Sequence, residues 1–302
     1  MSSPELLSLV CCGPGEGESR ALSYWQWGRA DASHAVVCVH GLTRQGRDFD
    51  VLAQALLEAA DGKLRILCPD MAGRGASTRL ADPRKYVVPT YVADMAQFLV
   101  QVHRQAPMQV LDWVGTSMGG LIGMGLLGTP DLPLPVPVRR LVLNDIGPVI
   151  EWKALQRLRA YLGRMGPYAT EQEAVDAMAA VAATFGPHTP QQWLALSRPM
   201  LRALPEGGYR LHYDPAIAVP YETLTEQATR DAEPLLWQMW DRITAQTLLV
   251  RGAESDLLLA ETAHAMTQRG PRARLVEFAG VGHAPTFVPR DQVDAVVSFL
   301  LP

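Results

Sequence analysis

Cysteine is scarce in this chain, four in 302 residues, and none of the four has the spacing of a disulfide framework or a zinc site. Cys38 and Cys68 fall inside apolar, strand-like runs and read as small core residues. Cys11 and Cys12 are adjacent, lack histidine partners and are assigned no role. A reducing cytoplasm is therefore the expected setting. No apolar run approaches the roughly 20 residues needed to cross a bilayer. Residues 1–10 carry Glu5 and no basic stretch, so neither a membrane span nor a secretory signal is expected. Charge of one sign is not in excess: 27 Lys and Arg against 31 Asp and Glu leave a net charge of −4, which gives nucleic acid no electrostatic footing. Internal repeats, low-complexity tracts and flexible linkers are also lacking, and no pattern calls for a metal or a cofactor.

What is present suits a large buried core. Hydrophobic residues make up 48% of the chain and charged ones 19%. The informative stretch is Val114-Gly115-Thr116-Ser117-Met118-Gly119-Gly120. A strand-like run precedes it and an apolar, helix-compatible run follows, so Gly-x-Ser-x-Gly falls at a strand-to-helix corner. A serine at such a corner stands on strained backbone with neighbours pressed close, which explains glycine at 115 and 119. The corner also puts the Met118 amide at a helix N-terminus, facing any negative charge that develops beside Ser117.

Around that corner the chain alternates strand and helix. Residues 6–11 and 21–27 read as two preliminary strands split by a Gly/Pro turn at 13–17, with Tyr24, Trp25 and Trp27 packing under a sheet edge. Ala35 to Val39 is a β-branched run typical of a strand buried on both faces, ending at His40-Gly41-Leu42. Helical periodicity over 48–60 follows, then a strand at 64–68 closing in Asp70-x-x-Gly73-x-Gly75-x-Ser77, and a helix over 90–105. After the corner comes a strand at 138–145. From 147 to 243 the strand-like runs stop, and helical segments at 151–163, 170–185 and 189–204 take over. Thr170 with Glu173 and Thr189 with Gln192 fit capping boxes. Alternation resumes with a strand at 247–251, the segment Glu254-Ser255-Asp256, a helix at 258–268, a strand at 274–278 leading to Gly282-His283, and a closing helix at 291–301. Repeated β-α units predict an α/β fold whose sheet is mostly parallel and flanked by helices. Residues 1–146 and 244–302 would form the core and 147–243 an all-helical insertion.

In such a sheet the functional groups gather beyond the strand C-termini. Ser117, Asp256 and His283 each stand just past one. A hydroxyl needs a base to become nucleophilic, and the imidazole needs an anion to hold its tautomer. The order Ser…Asp…His is that of the α/β-hydrolases. From His40-Gly41 to the last helix the sequence resembles that superfamily, with the segment 147–243 where the family carries its lid. The resemblance implies Ser117 as nucleophile, His283 as general base, Asp256 as orienting acid, and the backbone N–H groups of Leu42 and Met118 as oxyanion hole. Asp145, past the sixth strand, is the alternative acid. His40 and Asp70 read as turn architecture, and His212 as structural or pocket-lining.

A serine nucleophile turns the reading away from the aspartate-based haloalkane dehalogenases and epoxide hydrolases. The His-Gly-Gly-Gly run of many lipases and the His-Gly-Gly-Pro-Gly run of proline iminopeptidases are absent, as Leu42-Thr43 follows His40-Gly41. The expected activity is hydrolysis of a small-to-medium carboxylic ester, lactone or thioester through an acyl-enzyme, without cofactor, metal, nucleic acid or membrane. A carbon–carbon bond hydrolase or cofactor-free perhydrolase is the same-fold alternative, and a ligand-binding protein without turnover is the non-enzymatic one. Trp152, Tyr161, Tyr168, Phe185 and Trp193 in the insertion predict a mainly apolar pocket.

Overall fold

The computed structural model describes residues 3–13, 19–164 and 166–302. Eight strands form one sheet in the order β1-β2-β4-β3-β5-β6-β9-β10. They are β1 (Glu5–Cys12), β2 (Ser19–Gly28), β3 (His34–Val39), β4 (Leu64–Pro69), β5 (Val110–Thr116), β6 (Val138–Asn144), β9 (Gln246–Gly252) and β10 (Arg274–Phe278). Only β2 runs against its neighbours; the remaining pairs are parallel. The expected turn between β1 and β2 lies largely at 14–18, outside the described residues.

The continuous apolar runs of the central strands are explained by their two-sided burial. Val37 and Val39 of β3, Trp113 of β5, Leu141 and Leu143 of β6 and Leu249 of β9 point into one core. Their neighbours Val36, Cys38, Val114, Val142, Leu248 and Val250 point into the other. Helices α2 (Val88–Gln105), α3 (Met118–Gly128) and α9 (Ala260–Gln268) cover the first face. Helices α1 (Asp50–Ala59) and α10 (Arg290–Leu300) cover the second through Leu52, Leu56, Val293 and Val296. At roughly 25 cal/mol per Å² of apolar area, these two layers are the main stabilising term of the sheet. The aromatics expected under a sheet edge lie instead within β2, with Tyr24 and Trp27 buried in the cores on opposite faces and Arg47 over the half-buried Trp25 ring at 4.8 Å.

Between β6 and β9 lie α4 (Trp152–Tyr161), α5 (Glu171–Val181), α6 (Pro190–Ser197), α7 (Val219–Glu222) and α8 (Glu226–Arg242). The segment is not all-helical. Strands β7 (Leu201–Ala203) and β8 (Tyr209–Leu211) pair antiparallel across a turn in which Gly207 and Gly208 take φ of 96° and 82°. Three-residue strands are too short to show a period, and the helix expected over 189–204 stops early because Pro199 cannot continue it. Thr189 and Gln192 make the full reciprocal cap. Thr170 caps Glu173 N–H, whereas Glu173 reaches back one residue further, to Ala169 N–H. Helix α8 packs against α3, with Met239 seated at Gly128. Among the described residues no helix is long and apolar enough to cross a membrane.

Candidate active site

Ser117, Asp145 and His283 lie beyond the C-terminal ends of β5, β6 and the edge strand β10. Ser117 follows β5 at φ 52° and ψ −114°, outside the regions that side chains ordinarily allow. Two glycines make that corner possible. A Cβ on Gly119 would stand 2.0 Å from Val39 O, and one on Gly115 would stand 2.3 Å from Gly119 O. The strained turn is held from below, since Ser117 N–H donates to Asn144 O at 2.9 Å. Asn144 in turn donates from its side chain to Thr116 Oγ1 and to Pro285 O, at 3.1 and 2.7 Å. The ends of β5 and β6 and the loop after β10 are thereby tied together.

His283 is buried, and its Nε2 lies 3.0 Å from Ser117 Oγ. Its Nδ1 lies 2.7 Å from Asp145 Oδ2. The expectation that Asp256 would make this contact is corrected by the structure. Asp145 directly follows β6 with φ 56°, its N–H donates to Val250 O of β9 at 2.8 Å, and its carboxylate is fully buried. It also accepts from Gly252 N–H at 3.0 Å and from Ser255 Oγ at 2.6 Å. A carboxylate accepting three hydrogen bonds needs Nδ1 of the imidazole to carry the proton. That leaves the Nε2 lone pair facing the serine hydroxyl, as a general base requires.

Asp256 points elsewhere because the turn after β9 spends its inward position on Ser255. Ser255 N–H closes on Gly252 O at 2.9 Å, and its hydroxyl goes to Asp145. The next residue faces the inserted segment, where Arg157 of α4 donates Nε and Nη2 to the Asp256 carboxylate, both at 2.7 Å. Partial burial alone would raise the Asp256 carboxyl. The hydrogen bonds and charge of Arg157, with a smaller effect of His283, hold it below the usual range. Ser255 and Arg157 carried no motif signal in the sequence.

Of the two backbone groups expected to form an oxyanion hole, Met118 N–H begins α3 and Leu42 lies on the wall of the cavity beside Ser117. Gly41 lies against Ser117, since a Cβ there would stand 3.8 Å from Ser117 Cβ. The Leu42 peptide is fixed by a residue that sequence reasoning passed over. Buried Arg74 donates to Leu42 O at 2.8 Å, to Ala72 O at 2.7 Å and to Tyr91 Oη at 2.8 Å. His40 accepts from Met71 N–H at 2.9 Å, so its other nitrogen donates to Gly41 O at 2.6 Å. Complete burial drives the His40 imidazole down to about 3 and keeps it neutral. Asp70 accepts from Gly46 and Ala76 N–H at 2.8 and 2.9 Å. Both residues shape turns, as expected. His212 is part-buried and holds Gly75 N–H through its carbonyl at 3.2 Å; its neighbours Leu211 and Tyr213 line the cavity.

The cavity at Ser117 has a volume of about 270 Å³ and is walled by residues of the core loops and of the inserted segment. Tyr161, Tyr168, Met178 and Phe185 make much of that wall apolar, and Trp193 stacks behind Phe185 with ring centroids 6.3 Å apart. Thr184 bolts the segment to the histidine loop, donating from Oγ1 to His283 O at 2.7 Å and accepting Gly282 N–H at 2.6 Å. No group of His, Cys, Asp and Glu among the described residues could hold a metal ion.

A serine–imidazole–carboxylate chain on this sheet defines a hydrolase, and residues 36–296 match the model of the alpha/beta hydrolase family. The chain belongs to that family. It is 43% identical over 301 residues to the 3-hydroxybutyrate-oligomer hydrolase of Cupriavidus necator, covering 99% of this chain and 98% of that protein. Among solved structures, a putative hydrolase from Rickettsia typhi matches with a TM-score of 0.84 at 26% identity, covering 98% of both chains. An alpha/beta hydrolase from Novosphingobium aromaticivorans matches with a TM-score of 0.83 at 30% identity, covering 99% of both.

Proposed function

We propose that this hydrolase cleaves carboxylic esters through an acyl-enzyme, and that its substrates are short oligoesters of a 3-hydroxybutyrate type of hydroxy acid. The observation that carries the chemistry is the unbroken chain from Ser117 Oγ through both nitrogens of His283 to Asp145. The substrate class is supported by the Cupriavidus relative, whose name describes hydrolysis of such oligomers and whose length this chain spans.

In the proposed reaction Ser117 Oγ attacks the ester carbonyl carbon while its proton passes to His283 Nε2. Asp145 stabilises the imidazolium that forms. The carbonyl oxygen, now negative, is received by the N–H groups of Leu42 and Met118; one such donor is typically worth roughly 3–4 kcal/mol in the transition state. Collapse of the tetrahedral species breaks the bond to the alcohol oxygen, which takes the proton from His283 and leaves. Water then gives a proton to His283 and attacks the acyl carbon. Release of Ser117, with return of the proton to its Oγ, frees the acid. The inserted segment acts as a lid that forms the acyl and alcohol pocket over the nucleophile.

The test is hydrolysis of 4-nitrophenyl butyrate and of 3-hydroxybutyrate trimer, with labelling by a fluorophosphonate. Ser117→Ala should lose labelling and about 10⁶-fold in kcat. Full activity in that variant would refute the nucleophile. An active wild type that leaves the trimer intact would refute the substrate class alone.

A further inference from the structure

The cavity over Ser117 is unevenly charged. Three arginines line it, Arg44, Arg157 and Arg164, and no aspartate or glutamate does so among the described residues. Two of the three are already matched. Arg44 donates Nε and Nη2 to Asp48, both at 2.7 Å, and Nη2 also to Leu196 O at 2.9 Å. Arg157 is held in the same two-pronged way by Asp256. The guanidinium of Arg164 has no carboxylate and no hydrogen-bond partner among the described residues, and the residue is exposed. A chain with a net charge of −4 therefore opens its nucleophile to a pocket carrying an unmatched positive charge.

Arg164 is placed there by the backbone. Its own N–H closes a turn on Tyr161 O at 3.1 Å, just past α4. The preceding Gly163, at φ 83°, has its N–H held by the hydroxyl of buried Tyr213 at 3.2 Å. An unpaired surface arginine is ordinary, but one on the wall of the cavity over Ser117, where the other two arginines are already paired, offers five donors in a planar fork to whatever enters. The geometry of that fork matches a carboxylate.

We propose that Arg164 reads a carboxylate carried by the ester substrate, so that the pocket selects acidic esters over neutral ones. This rests on the esterase reading above and sharpens it: a linear oligoester of a hydroxy acid ends in a free carboxylate, whereas its alkyl-capped form does not. Arg164 is thus a specificity-determining residue that acts on substrate binding.

The experiment compares 3-hydroxybutyrate trimer as the free acid and as its methyl ester, with 4-nitrophenyl butyrate as a neutral reference, in wild type, Arg164→Gln and Arg164→Lys. The wild type should prefer the free acid by about tenfold in kcat/KM, the effect of one charge-assisted contact. Arg164→Gln should bring that ratio close to one through KM, with kcat and the neutral reference little changed. Arg164→Lys should recover part of it, and added salt should shrink the wild-type preference. Monomethyl adipate and dimethyl adipate, as competitors of 4-nitrophenyl butyrate, give a readout that does not need the trimer to be cleaved. If the trimer is inert but monomethyl adipate competes better, and loses that advantage in Arg164→Gln, the role of Arg164 stands and the oligoester reading falls. If the trimer is cleaved equally in both forms, or if its preference survives in Arg164→Gln, the role of Arg164 is overturned and the oligoester reading stands.

Discussion

The C-terminal ends of β6 and β9 lie side by side in the sheet, and an aspartate stands just beyond each, yet the two carboxylates have opposite fates. Asp145 is fully buried and takes its side-chain partners from Gly252, Ser255 and His283 of the core. Asp256 keeps 42% of its side chain exposed and is paired with Arg157 of the inserted segment. Position past a strand end is therefore not enough to decide which acid faces the imidazole. What decides it is where the turn after each strand aims its inward residue. After β6 the first residue is Asp145; after β9 the inward place is taken by Ser255, which turns toward Asp145 and leaves the following aspartate outside.

The sharpest way to break this comparison is to neutralise each acid in turn. Asp145→Asn should lower kcat on 4-nitrophenyl butyrate by about 10³–10⁴-fold, because an amide cannot both hold the Nδ1–H tautomer and balance the imidazolium. Asp256→Asn should stay within about fivefold of wild type, since it loses only a part-exposed ion pair. The reverse ranking would restore Asp256 to the role the sequence alone gave it.

Burial also separates the two kinds of group by their response to pH, and His40 and Asp70 extend the contrast along the same edge of the sheet. Burial drops His40 from 6.5 to about 3. In that window the unfolded chain binds a proton that the folded one refuses, so stability is present above 6.5 and lost as pH falls. Burial raises Asp70 from 3.8 to about 6, partly offset by the N–H groups of Ala76 and Gly46. Its contribution has the other sign: present below 3.8 and lost as pH rises through about 6. Each carries at most about 1.4 kcal/mol per pH unit, so between 3.8 and about 6 they oppose each other. Urea unfolding across that window should show stability falling more steeply with rising pH in His40→Gln than in wild type. Asp70→Asn should shift the slope the other way. Equal slopes in all three proteins would mean that neither group is held as the structure describes.

The sheet was legible because its central strands are buried on two faces and so read as largely apolar runs, most clearly Ala35 to Val39, while helices such as α1 and α2 show a clear apolar stripe between them. The elbow was legible because its glycines are required by contacts under 2.5 Å that no side chain could occupy. The acid was not, because Asp145 and Asp256 look alike in sequence, and the discriminating partner, Ser255, is an ordinary loop serine. Arg74 escaped notice for a related reason. Its role is to grip the Leu42 carbonyl across 32 positions of chain, and no local pattern records so distant a bond. The hairpin β7-β8 was hidden by brevity, three residues a side giving no period to count.

The smallest expected effect tests whether the β9 end belongs with the inserted segment or with the proposed catalytic residues. Arg157 and Asp256 are 31% and 42% exposed, so water screens most of their attraction despite the good two-pronged geometry. A double-mutant cycle on stability, Arg157→Gln with Asp256→Asn, should give a coupling of about 0.2–1 kcal/mol that shrinks with added salt. A pair of that strength tethers α4 to the core without fixing it, which suits the lid role proposed for the segment over Ser117. A coupling well above that range, unmoved by salt and matched by a loss of kcat in each single variant, would mean that the pair is held as rigidly as Asp145 on His283. The two strand ends would then differ in partner but not in function.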